Sequence, residues 1–104
     1  MSQTFDANFI TVLSTGTTVT TGAASASANI PVDAAGNVPR YVRIAAVTES
    51  YIKLGITGVA ATTNDLLVQP ADSVILAVPS GVTKFAYIQG TSTGKVNVVP
   101  LENV

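Results

Sequence analysis

Six carboxylates are the first groups in this chain that could do chemistry: Asp6, Asp33, Glu49, Asp65, Asp72 and Glu102. Two of them set roughly 5–10 Å apart across a cleft would suit glycoside hydrolysis, and Asp65 and Asp72 are near enough in sequence to meet across one loop. Both, however, stand in turn sequences, Asn64-Asp65 and Pro70-Ala71-Asp72-Ser73, where an Asx side chain caps its own backbone. We adopt the turn reading and keep a carboxylate hydrolase as the minor alternative. Nothing approaches the Asp-x-Asp-x-Asp-Gly spacing of a calcium loop. Gly90-Thr91-Ser92-Thr93-Gly94-Lys95 offers two glycines and a Lys, but only three residues separate the glycines and Val96 follows the Lys. That is not the spacing of a phosphate loop, and we read it as a hairpin loop between two strands. The chain contains no His and no Cys. Thiolate nucleophiles, Ser-His-Asp triads, disulfides and the common Zn, Cu and haem sites are therefore excluded. We expect no enzyme, no cofactor and no metal.

What remains is recognition chemistry, carried by aromatic and basic side chains. Tyr41, Tyr51 and Tyr87 each fall in a strand-like run. They suit a protein interface, the edge of a core with the hydroxyl reaching water, or a sugar-stacking platform, the last weakened by the absence of Trp. Arg40, Arg43 and Lys53 would share an outer face with Tyr41 and Tyr51 if the two runs that carry them form a hairpin. Such a face would suit an acidic partner, or would simply be solvated. With Phe5 and Phe9 from the first residues, the candidate partner interface is Phe5, Phe9, Arg40, Tyr41, Arg43, Tyr51, Lys53 and Tyr87.

The elements that must position these groups read as β-strands. Val occurs 15 times and Thr 14 times, stiff side chains that suit a pleated surface. Glu and Lys total five, and no window repeats apolar residues at helical spacing. In Tyr41–Ala46, alternation puts Val42, Ile44 and Ala46 inward and Tyr41, Arg43 and Ala45 outward. In Ser50–Leu54 it puts Ile52 and Leu54 inward, Tyr51 and Lys53 outward, with Thr48-Glu49 short enough to close a hairpin. Further strands are expected at Leu66–Val68, Ser73–Val78, Lys84–Gln89 and Lys95–Leu101, separated by Gly-, Pro- and Asn/Asp-containing turns. The first 30 residues are rich in Thr, Ser, Gly and Ala. They read either as two ordinary strands, Phe9–Thr20 and Ala24–Pro31, or as an extended arm through about Gly22 that lies on a neighbour. The expected fold is all-β: a single, jelly-roll-like β-sandwich of about eight short antiparallel strands. Residues 1–22 form its arm or edge strand and residues 23–104 the sandwich.

A net charge of −1 does not suit a nucleic-acid binder, which needs a basic face. Met1-Ser2-Gln3-Thr4-Phe5-Asp6 lacks the basic and apolar regions of a secretory signal. No apolar run approaches the roughly 18 residues of a membrane helix. We expect neither nucleic acid nor membrane as a partner, and synthesis in a cytoplasm.

From Tyr41 onward the chain resembles small β-rich virion proteins of tailed bacteriophages, the head decoration (cement) proteins among them. The resemblance is carried by Tyr41-Val42-Arg43-Ile44-Ala45 through Ile52-Lys53-Leu54-Gly55, and by Ala61-Thr62-Thr63-Asn64-Asp65 with Leu66 to Pro70. It continues in Val78-Pro79-Ser80-Gly81-Val82-Thr83, in Phe85 to Gly90, and in Val96-Asn97-Val98-Val99-Pro100-Leu101-Glu102. It implies a protein of the capsid surface, assembled in the host cytoplasm, with no catalytic residue and no cofactor. It further implies the major capsid protein as partner and a homo-oligomer, preferably a trimer. A receptor- or glycan-binding module of a head or tail fibre is the alternative.

Overall fold

β-Branched runs with alternating burial become strands where the sequence places them. The computed structural model describes residues 10–103. The strands are β1 (Ile10–Thr11), β2 (Thr17–Thr20), β3 (Ala26–Asn29), β4 (Tyr41–Ala46), β5 (Ser50–Gly55), β6 (Leu66–Val68), β7 (Val74–Ala77), β8 (Lys84–Gln89) and β9 (Lys95–Asn103). All pairing is antiparallel. One sheet runs β1-β9-β4-β7, with β2 also on β9, and the other runs β3-β8-β5-β6. The protein is thus an all-β sandwich, and no helix of the described residues is long and apolar enough to cross a membrane. From β2 to β9 the first, eighth, third and sixth strands make one sheet and the second, seventh, fourth and fifth the other. That interleaving is consistent with a jelly-roll-like winding.

The core lies between the two inner faces. Val42, Ile44, Val96 and Val98 from the first sheet meet Ile52, Val68, Phe85 and Tyr87 from the second, with Ile30 closing one end. Phe85 and Tyr87 stack tilted, ring centroids 5.7 Å apart, a spacing at which aromatic pairs attract beyond simple burial. Ser50 and Thr21 are the buried polar side chains of the described residues. The Ser50 hydroxyl donates to the Thr48 carbonyl (3.1 Å) and Thr21 Oγ1 accepts from the Gly94 N–H (3.0 Å). Among the described residues no buried side-chain nitrogen or oxygen lacks a partner.

Two expectations about connections are corrected. Val47-Thr48-Glu49 is an arch, not a hairpin: β4 pairs with β7 and β9, whereas β5 pairs with β6 and β8. A tight hairpin turn needs residues at positive φ, typically Asn-Gly, and Thr48-Glu49 supplies none. Gly90–Gly94 likewise carries the chain from the second sheet to the first. Alternation of period two is the same for strands that lie side by side and strands that face each other across a core. The hydrogen-bond partners separate the two cases.

The expected strand Phe9–Thr20 begins outside the described residues and, within them, breaks over residues 12–16. Its neighbour explains the break. Thr17 pairs with Val98 and Thr11 with Glu102, so Pro100 stands opposite the gap. Pro has no N–H to offer a ladder. At the near side of the gap a Cβ on Gly16 would collide with the Val98 carbonyl oxygen, so only glycine brings the chain back against β9 there.

Candidate partner interface

The sandwich has two outer faces, and the sequence-derived residues divide between them. Arg43 is exposed on the outer face of the first sheet, level with Ile75 of β7 and Val99 of β9. Tyr41, half-buried on the same face, is level with Ala77 and Leu101. Arg40 precedes β4 and is exposed. Tyr51 and Lys53 lie on the outer face of the second sheet. The expected basic cluster of Arg40, Arg43 and Lys53 is therefore not formed: the arch sends Lys53 to the opposite side of the molecule. Tyr87 points inward and joins the core, 9% exposed. Tyr41, Tyr51 and Tyr87 thus occupy two outer faces and the core, and make no common stacking platform. Phe5 and Phe9 lie outside the described residues.

The carboxylates of Asp33, Asp65 and Glu102 accept from backbone N–H groups, whereas at Asp72 the backbone itself closes the turn. Asp65 Oδ2 accepts from the Thr62 N–H (2.7 Å) and hydroxyl (3.2 Å). Asp33 Oδ1 accepts from the N–H groups of Ala35 (3.0 Å) and Asn37 (2.9 Å). Asp72 closes a tight turn by donating its N–H to the Gln69 carbonyl (3.2 Å). β6 lies between Asp65 and Asp72, so the pair does not meet across one loop as a hydrolase would require. Among the described residues no group of three or more acidic side chains is arranged to hold a metal.

Part of the second sheet's outer face is covered by the chain itself, although Lys53 and Ser27 on it stay exposed. The loop of residues 56–65 leaves β5 and returns to β6, yet its Ala61 N–H donates to Ser25 Oγ (2.8 Å), beside β3 at the far edge. It therefore crosses the face. Val59 sits where a side chain on Gly55 would be, its Cγ2 2.7 Å from the Cβ position. Ala86, an outward position between Ser27 and Lys53, is fully buried. Close approach of this kind is open only to small residues, and the sequence supplies Gly55, Ala61 and Ala86 along the path.

On the first sheet's outer face Arg43 stays exposed. Ile75 is 42% exposed beside Arg43. At one end of this sheet a depression of about 490 Å³ lies between Val38–Tyr41 and Ala77–Thr83. A smaller one, about 200 Å³, is lined by Asp33, Arg40, Tyr41, Leu101 and Glu102. Arg40 and Tyr41 form the wall between them. Beyond, Val12 and Leu13 are 53% and 63% exposed in the β1–β2 connection. Ser14 Oγ ties that connection to the Val32 carbonyl (2.9 Å). Ile75, Val12, Leu13 and Val32 were not singled out from the sequence. For Ile75 the signal was available, as an apolar residue at an outward position in Ser73–Val78. No protein-family model, curated protein or solved structure matches the chain.

Proposed function

We propose that this chain is a capsid decoration (cement) protein of a tailed bacteriophage, which binds the assembled head shell and stabilises it through protein–protein contacts. The reading draws on the sequence resemblance from Tyr41 onward. The observation that carries it is the outer surface of the first sheet, where Arg40, Arg43 and Ile75 stand exposed, while a loop of the chain crosses the opposite face and buries Ala86. Binding to the assembled shell but not to its dissociated subunits shifts the balance toward assembly by mass action. The partner in this reading is the major capsid protein, and the station is the outside of the virion. Association of three copies would raise the effective concentration of each further contact, adding about 10²–10⁴ in avidity.

The test is addition of the purified chain to head shells that lack it. Saturable binding and a higher shell-disassembly temperature are expected. Arg43→Glu should weaken binding by about tenfold or more, while its own unfolding free energy stays within about 0.5 kcal/mol of the parent. Shells that take up none of the chain would overturn the reading.

A further inference from the structure

The sandwich has four exposed edges, and three are guarded. β6 has only three residues, β1 and β2 are interrupted over residues 12–16, and β3 is polar, with Asn29 Oδ1 accepting from Lys84 Nζ at 2.8 Å. Short, broken and polar edges are the usual means of preventing unwanted strand pairing. β7, four residues long, is neither broken nor polar. Val74-Ile75-Leu76-Ala77 contains no charge and no Pro, and among the described residues no strand pairs with its outer side.

The direction of its backbone groups follows from two bonds. In an antiparallel ladder each residue's N–H and C=O point to the same side, alternating along the strand. The Val78 N–H donates to the Arg40 carbonyl at 2.8 Å, so the even-numbered residues of this strand bond toward β4. Pro100, opposite Val42 on the other side of β4, fits the same alternation, since it has no N–H to give. Ile75 and Ala77 therefore present their N–H and C=O groups outward, and Pro79 ends the row.

The charge level with the middle of this edge is positive, while the exposed Asp72 stands two residues before Val74 at its start. Arg43 stands one strand in, level with Ile75, and its neighbours on the face are Tyr41, Ala45, Ile75 and Val99, none of them acidic. A strand added to β7 would run about 10 Å from β4, within the combined reach of an Arg and a carboxylate side chain. Two copies of this chain paired through β7 would instead bring a second Arg43 toward the first.

We propose that the β7 edge is a strand-addition site whose occupant is an extended acidic segment of another polypeptide. Its backbone bonds Ile75 and Ala77, and an outward carboxylate meets Arg43. The site stands on its own geometry: failure of shell binding would leave it intact, and its failure would leave the shell-docking reading with the rest of the face.

The probe is a blocked peptide of alternating valine and glutamate, about eight residues long to match a strand, titrated into the labelled full chain. Resonance shifts should cluster on Val74–Val78 and Arg43, and amide exchange at Ile75 and Ala77 should slow about tenfold. The lysine counterpart of the peptide should bind about fivefold more weakly or worse. Ile75→Pro, which removes an outward donor without touching the β4 ladder, should abolish binding. If that variant does not fold, Arg43→Glu should reverse the preference between the two peptides. Shifts confined to another surface, equal binding of both peptides, or spontaneous pairing of the chain through Val74–Ala77 would each overturn the proposal, the last in favour of a second copy as occupant.

Discussion

The two sheets start from the same pattern and end with opposite outer faces. Each alternates inward aliphatic residues with outward polar, basic or aromatic ones, Arg43 on β4 and Lys53 on β5 being counterparts. On the second sheet the loop of residues 56–65 lies across that face, held by Val59 against Gly55 and by Ser25 on Ala61. On the first, Ile75 and Arg43 remain exposed. The difference shows that an outward position is not thereby an available one. Availability depends on where the loops go, and small residues mark the route.

Identical substitutions on the two faces give the sharpest way to break this comparison. Ala86→Glu would put a carboxylate beneath the strap with nothing to pair it, and is expected to cost about 3 kcal/mol or more. The same change at Ile75 should stay within about 0.5 kcal/mol. Urea denaturation of both variants checks the pair, and equal losses would mean that the faces do not differ. Next in size is Gly55→Val, whose side chain must displace Val59; overpacking of this kind costs about 1–3 kcal/mol. Combining it with Val59→Ala should restore much of the loss, so a double-mutant cycle reads the contact directly.

Removing the tether at Ser25 should act more gently. Ser25→Ala leaves the Ala61 N–H without its acceptor, at about 1 kcal/mol. Limited proteolysis should then find new cleavage between Ile56 and Asp65, and an unchanged digestion pattern would show that the strap is held by packing alone. The smallest effect is expected from Arg43→Ala, about 0.5 kcal/mol or less in thermal stability, because the side chain stands on an open surface.

Much of the local structure was legible in the residues. The alternation in Tyr41–Ala46 and Ser50–Leu54 assigned the inward residues correctly, since Val42, Ile44 and Ile52 are buried and Leu54 packs on the core. Turn chemistry marked the Asp65 and Asp72 loops, whereas the Asp33 turn was not read. The pairing was not legible, because a period of two cannot distinguish a hairpin from an arch. That single ambiguity carried Lys53 and Tyr51 to the wrong face of the candidate interface. The want of a positive-φ residue in Val47-Thr48-Glu49 was the clue. Ile56–Asp65, with its Thr, Gly and Ala, reads as an ordinary loop. Its use as a covering depends on contacts with Gly55 and Ser25 that no local pattern records.

The position of β9 bears on how the molecule comes into being. This strand is the last of the described strands in chain order, yet it lies between β4 on one side and β1 and β2 on the other. Until Lys95–Asn103 has left the ribosome, three earlier strands lack the neighbour that satisfies their backbones. Because most strands find their partners far along the chain, folding must wait for Lys95–Asn103 and then proceed slowly, over milliseconds to seconds. A nascent chain stalled before Lys95 would be a substrate for chaperones or proteases.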